Sequence, residues 1–108
     1  MKTVKDESYE RRKKLRVIYN SEERPKLKVG ENEFKVADFS EFDIRFFHRK
    51  IETGHWVCGT LTLLCGESID VKGMVVKKKQ DDIYISVDPF IQKEILLREK
   101  QHINLNCD

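Results

Sequence analysis

The chain predicts a mainly β domain, a small antiparallel β-barrel with a basic arm in front of it and a helix behind. Three observations carry this. Apolar and polar residues alternate in short runs separated by turn-forming residues, the signature of half-buried strands. Two of the longer runs each hold a glycine at a position where the alternation asks for an apolar side chain, as in Val57-Cys58-Gly59-Thr60-Leu61 and Val71-Lys72-Gly73-Met74-Val75. Helical spacing of apolar residues appears only after Asp88-Pro89.

With 108 residues, the chain has room for one core and not for a second. The organisation expected is a flexible basic arm over residues 1–14, which lack apolar periodicity, followed by the barrel and helix over residues 15–108. Charged residues at 37% and hydrophobic residues at 39% fit a folded globular chain with a well-solvated surface.

Leu15, Val17 and Tyr19 open the first strand, which ends in the polar, proline-containing stretch 20–26. A short strand over 27–29 turns at Gly30-Glu31-Asn32 into a third, 33–39, with Phe34 and Val36 on one face and Lys35 on the other. A tight connection over 40–43 leads to a strand over 44–47, and Thr53-Gly54-His55 makes the next turn. Residues 56–65 form the clearest strand, with Val57, Leu61, Leu63 and Cys65 on one face and Gly59 as a gap among them. After Gly66-Glu67-Ser68, Ile69, Val71 and Val75 repeat the arrangement around Gly73. Paired gaps of this kind suit a sheet that bends to close on itself. Residues 77–82 read as an exposed charged turn before Ile83, Ile85 and Val87, the last alternating strand.

The helix is expected over about 89–104, with Asp88 as its cap and Pro89 at its first position. Ile91, Ile95, Arg98 and His102 mark its inward stripe, with Leu96 and Ile103 beside it.

Charge is unevenly placed. Residues 1–30 carry ten Lys/Arg against five acids, whereas the whole chain carries only +2. A duplex-binding surface spreads basic charge over a face, so the asymmetry favours a compact anionic ligand over DNA or RNA. Cys58, Cys65 and Cys107 form no Cys-x-x-Cys pair, and the polar N-terminus holds no secretory segment, which points to a cytoplasmic location. No apolar run approaches the ~20 residues of a membrane span. His48, His55 and His102 are scattered, so no metal site is expected; Ser40 and Ser68 lack a nucleophile elbow and no paired carboxylates stand out, so neither is an enzyme.

The most concentrated chemistry lies in two segments. Arg11, Arg12, Lys13, Lys14 and Arg16 crowd six positions just before the first strand, and Asp38-Phe39-Ser40 follows at a strand-to-turn boundary. Guanidinium groups fork onto phosphate oxygens and stack on flat bases. A carboxylate accepts from the ring N–H and amino group of guanine, and a hydroxyl serves phosphate or base. The plain alternative is a solvated basic tail beside a turn whose Asp and Ser oxygens satisfy backbone N–H groups. Phe39, Phe42, Phe46 and Phe47 could be stacking platforms for single-stranded nucleic acid, although strand aromatics more often fill a core, and Trp56 reads as core or as cover for a barrel edge.

Residues 11–17 resemble the Arg-Arg-x-x-x-Arg arm of PilZ domains, and Asp38-Phe39-Ser40-Glu41-Phe42-Asp43 is similar to their Asp/Asn-x-Ser-x-x-Gly segment. The central strands Val57 to Leu63 and Ile69 to Val76 are also similar, so the likeness spans about residues 9–105. It implies a six-stranded barrel that binds cyclic di-GMP through Arg11, Arg12, Arg16, Asp38, Ser40 and the Asp43 position, with no other cofactor. The arm would close over the nucleotide, and a protein partner in a motility, pilus or exopolysaccharide system would read the change. Asp43 stands where the family has glycine, placing a negative charge near a dianionic ligand. An adaptor that has lost the nucleotide and acts through protein contacts is the alternative that this departure implies.

Overall fold

The computed structural model describes residues 15–20 and 22–106. Strands β1 (Arg16–Ile18), β2 (Lys26–Val29), β3 (Asn32–Ser40), β4 (Asp43–Phe47), β5 (Trp56–Thr62), β6 (Ser68–Lys79) and β7 (Asp82–Val87) precede one helix, α1 (Lys93–Asn106). Six of the strands close a ring in the order β3, β2, β5, β6, β7, β4 and back to β3, every pair antiparallel. The expected mainly β barrel with a C-terminal helix is therefore the architecture. β1 lies outside the ring on the end of β3, with Arg16 opposite Ser40 and Ile18 opposite Asp38.

The alternation in the sequence becomes the inside and outside of the barrel. Val17, Leu27, Val36, Phe39, Ile44, Phe46, Leu61, Val75, Ile83 and Ile85 are buried in one cluster. Each such side chain removed from water contributes about 1.5–3 kcal/mol before the entropy of ordering it is counted. The two in-strand glycines are places of close approach. A Cβ at Gly59 would run into the Lys28 carbonyl of β2, and one at Gly73 would stand 2.7 Å from the Ser86 carbonyl oxygen of β7.

One irregularity positions the site. Val36 and Phe39 both point inward although they are three apart, because the register of β3 against β4 shifts between Val36 and Asp38. In an unbroken strand Asp38 would share the face of Val36 and enter the core. The bulge turns it outward.

Several boundaries differ from those the sequence predicts. β5 ends at Thr62, and residues 63–66 turn, with the Gly66 N–H on the Leu63 carbonyl at 3.0 Å and Gly66 at φ +99°. Residues 77–79 continue β6 and Asp82 begins β7, so the turn is confined to Gln80 and Asp81, with Gln80 at φ 58°. α1 begins at Lys93 rather than Pro89. The backbone of 87–91 is instead taken up by neighbours: the N–H groups of Val87, Asp88 and Ile91 donate to the carbonyls of Phe42, Lys72 and Glu41. Asp88 therefore does not stand at the start of α1, and its peptide to Pro89 is cis.

The inward stripe of α1 also differs in phase. Leu96 and Glu99 are fully buried and Ile95 and Ile103 partly so, while Arg98 is exposed and pairs with Glu67 at 2.7 Å. Glu99 is buried because it is fully used. Its carboxyl group accepts from the Tyr19 hydroxyl at 2.6 Å and from the Leu64 and Cys65 amides at 2.9 Å each, joining the end of β1, the 63–66 turn and α1. Burial, reinforced by the neighbouring Glu99, pushes the Tyr19 phenol well above its ordinary value. Trp56 proves exposed, with the Lys72 ammonium 5.2 Å from its ring centroid. Phe39 and Phe46 are core, whereas Phe42 is exposed.

Candidate functional site

On the outer surface where β1, β3 and β4 meet, Asp38 stands directly opposite Arg45 in the β3–β4 register and diagonal to Arg16 on β1. Both arginines reach it. Arg16 Nη1 donates to Asp38 Oδ1 at 2.6 Å, and Arg45 Nε donates to Asp38 Oδ2 at 2.8 Å, with Arg45 Nη2 forming an ion pair with the same oxygen at 2.8 Å. The other end of the Arg16 fork, Nη2, donates to Asp43 Oδ1 at 2.5 Å. Arg16 thus bridges two carboxylates that flank the β3–β4 turn.

Ser40 holds that turn together. Its hydroxyl donates to Asp43 Oδ1 at 3.0 Å and accepts from the amides of Phe42 and Asp43 at 3.1 and 3.2 Å. This is the local side-chain bonding that the plain reading of an Asp-x-Ser turn expects of the serine. Asp38 does something different, spending its oxygens on guanidinium groups from two other strands. Arg45 continues the array, 3.6 Å from Asp82 and 5.9 Å from the Tyr84 ring centroid.

Of the six residues singled out in the sequence, four come together here: Arg16, Asp38, Ser40 and Asp43. Arg11 and Arg12, with the rest of the arm, lie outside the described residues. The sequence reading missed Arg45. Its only signal was alternation, since Asp43, Arg45 and Phe47 fall on the face opposite Ile44 and Phe46.

The geometry suits a ligand rich in acceptors and donors. Asp38 is mostly buried and held from both sides, a rigid acceptor with its lone pairs fixed. Arg16 keeps about a third of its side chain open to solvent. Two guanidinium groups, Arg16 and Arg45, face three carboxylates, Asp38, Asp43 and Asp82, so an anion entering here must take the place of a carboxylate on Arg16. Among the described residues no group of three or more His, Cys, Asp or Glu is placed to hold a metal ion, and no helix is long and apolar enough to cross a membrane.

Comparison with known proteins adds the fold and nothing finer. No family model matches the chain, and no curated protein matches it. The crystal structure of an uncharacterized Legionella protein is similar in fold, with a TM-score of 0.59 at 10% identity, covering 88% of this chain and 100% of that one.

Proposed function

We propose that the chain is a cytoplasmic receptor domain for cyclic di-GMP, with the nucleotide seated over Arg16, Asp38, Ser40 and the Asp43 turn. The observation that carries this reading is the direct contact of Arg16 with Asp38, 22 positions apart, at a turn held by Ser40. Those three residues belong to the two short segments that resemble the PilZ arm and its Asp-x-Ser partner, and they share one patch on a six-stranded barrel. Phosphate oxygens would take the place of the Asp43 carboxylate on the Arg16 fork, while Asp38 would accept from guanine. Arg11 and Arg12 would close over the bound nucleotide, and a motility, pilus or exopolysaccharide protein would recognise the closed form. Calorimetry tests this: Arg16→Ala should weaken binding by on the order of 1.5–3 kcal/mol, and equal affinities for parent and variant would remove Arg16 from the site.

A second reading has its own observation. Asp43 Oδ1 already lies on Arg16 Nη2, where a nucleotide phosphate would sit, so the chain would be an adaptor whose site is closed by its own side chain and which acts through protein contacts. Asp43→Gly separates the two. Binding by the glycine variant alone favours the adaptor, and binding by the parent favours the receptor.

A further inference from the structure

We propose that Phe42 and Phe90 form a stacking platform for a base of the nucleotide, next to the Arg16 cluster, and so help determine which ligand the site takes. This inference rests on the receptor reading and extends it to two residues that neither sequence motif contains as a fixed position. Both rings are large apolar groups left in water: Phe42 is 45% exposed and Phe90 67%. Their centroids are 4.8 Å apart with the planes at 86°, so each ring fixes the other edge to face. Single exposed apolar residues are ordinary, but a paired, pre-set aromatic surface beside a polar cluster is the form that recognition surfaces take.

The backbone holds the pair in place. The Phe42 N–H donates to Ser40 Oγ at 3.1 Å, and its carbonyl accepts from the Val87 N–H at 2.9 Å. The segment carrying Phe90 is tied to the same turn, because the Ile91 N–H donates to the Glu41 carbonyl at 2.9 Å. Phe42 is flanked by Glu41 and Asp43, and Asp43 holds the Arg16 fork. The Cα atoms of Phe42 and Asp43 are therefore ~3.8 Å apart, well within the reach of one dinucleotide. A dinucleotide with a phosphate on Arg16 would extend a base over these rings. Every base has a flat π-face, so the rings reward a nucleotide over an inorganic anion, while Asp38 supplies the preference for guanine.

The test is a titration with cyclic di-GMP, followed by heat and by the proton spectrum of the nucleotide, for the parent, Phe42→Ala, Phe42→Leu and Phe90→Ala. Because the rings are exposed, their removal opens no cavity, and a thermal scan checks that each variant is folded. The platform predicts an upfield shift of the guanine H8 signal on binding to the parent. It predicts affinity lower by about 5- to 100-fold in Phe42→Ala, with Phe42→Leu no better because it keeps bulk without a ring. Binding by the parent with an unmoved H8 signal and unchanged affinities in the variants would overturn the platform while leaving the receptor reading intact. No binding by the parent overturns both. Self-association of the parent that Phe42→Ala abolishes would assign the rings to a second copy of the chain and overturn the platform.

Discussion

The Tyr19 hydroxyl donates a 2.6 Å hydrogen bond to Glu99 Oε2, joining residues 80 positions apart at the point where the helix meets the barrel. The same carboxyl group satisfies the amides of Leu64 and Cys65, so three donors depend on one buried side chain. Glu99→Ala would leave them without their acceptor and open a space beside Leu96. We expect a loss on the order of 3 kcal/mol, read as a lower urea midpoint with an unchanged slope. A loss below about 0.5 kcal/mol, the size of an ordinary surface substitution, would show that water replaces the carboxyl group at no cost.

Tyr19 makes a second expectation, in alkali. Its phenol is raised above the ordinary value because burial and Glu99 both disfavour the phenolate. The unfolded chain loses this proton near pH 10 while the folded chain keeps it, so the unfolded state binds fewer protons and stability falls as pH rises. The contribution is whole below pH 10 and is lost above it. Tyr19→Phe removes it, so the drop in unfolding free energy between pH 9 and pH 11 should be smaller in the variant by about 1.4 kcal/mol. Equal drops would mean that the hydroxyl titrates as freely in the folded protein as in the chain.

Gly59 and Gly73 should be intolerant of even one methyl group. The added Cβ of Gly59→Ala meets a backbone carbonyl of β2, and that of Gly73→Ala meets one of β7. Neither obstacle is the yielding end of a side chain, so the strands must separate locally. A cost of about 1–3 kcal/mol for each variant follows, measured by denaturant unfolding. Gly30→Ala is the useful contrast: nothing lies within 4 Å of its added carbon, and its strain is that of φ +63° alone.

Much of the barrel was legible because period-2 alternation maps directly onto inside and outside. Ile83, Ile85 and Val87 alternate in the sequence and are buried in the structure. The failures have physical reasons. Leu63 is buried although it lies past the end of β5, because a turn can bury an apolar side chain as a strand does. Glu99 falls in step with Leu96 and Ile103, spaced by three and four, yet a charged residue reads as a solvent-facing position until its three donors are seen. Pro89 and Asp88 resemble a helix start, but the backbone of that stretch is committed to tertiary hydrogen bonds with Glu41, Phe42 and Lys72.

Within the site, the resemblance to PilZ domains groups Arg16, Asp38 and Ser40 around one ligand, and the structure puts Arg16 on Asp38 and across the β1–β3 register from Ser40. The bulge at Val36 to Asp38, which lets Asp38 leave the core, has no mark in the sequence. Arg45 was overlooked because an arginine on the outer face of a strand is commonplace. Asp43 stands where the PilZ pattern has glycine, and the structure adds that it pairs with Arg16.

The most direct test of the central claim is a titration of isotope-labelled protein with cyclic di-GMP, reading the side-chain Nε–Hε signal of Arg16 together with the Ser40 and Asp43 amides. The receptor account predicts that all three move in step and saturate as Asp43 yields the guanidinium to phosphate. If these signals stay in place at millimolar nucleotide, cyclic di-GMP does not engage the Arg16–Asp38 cluster and the account is contradicted.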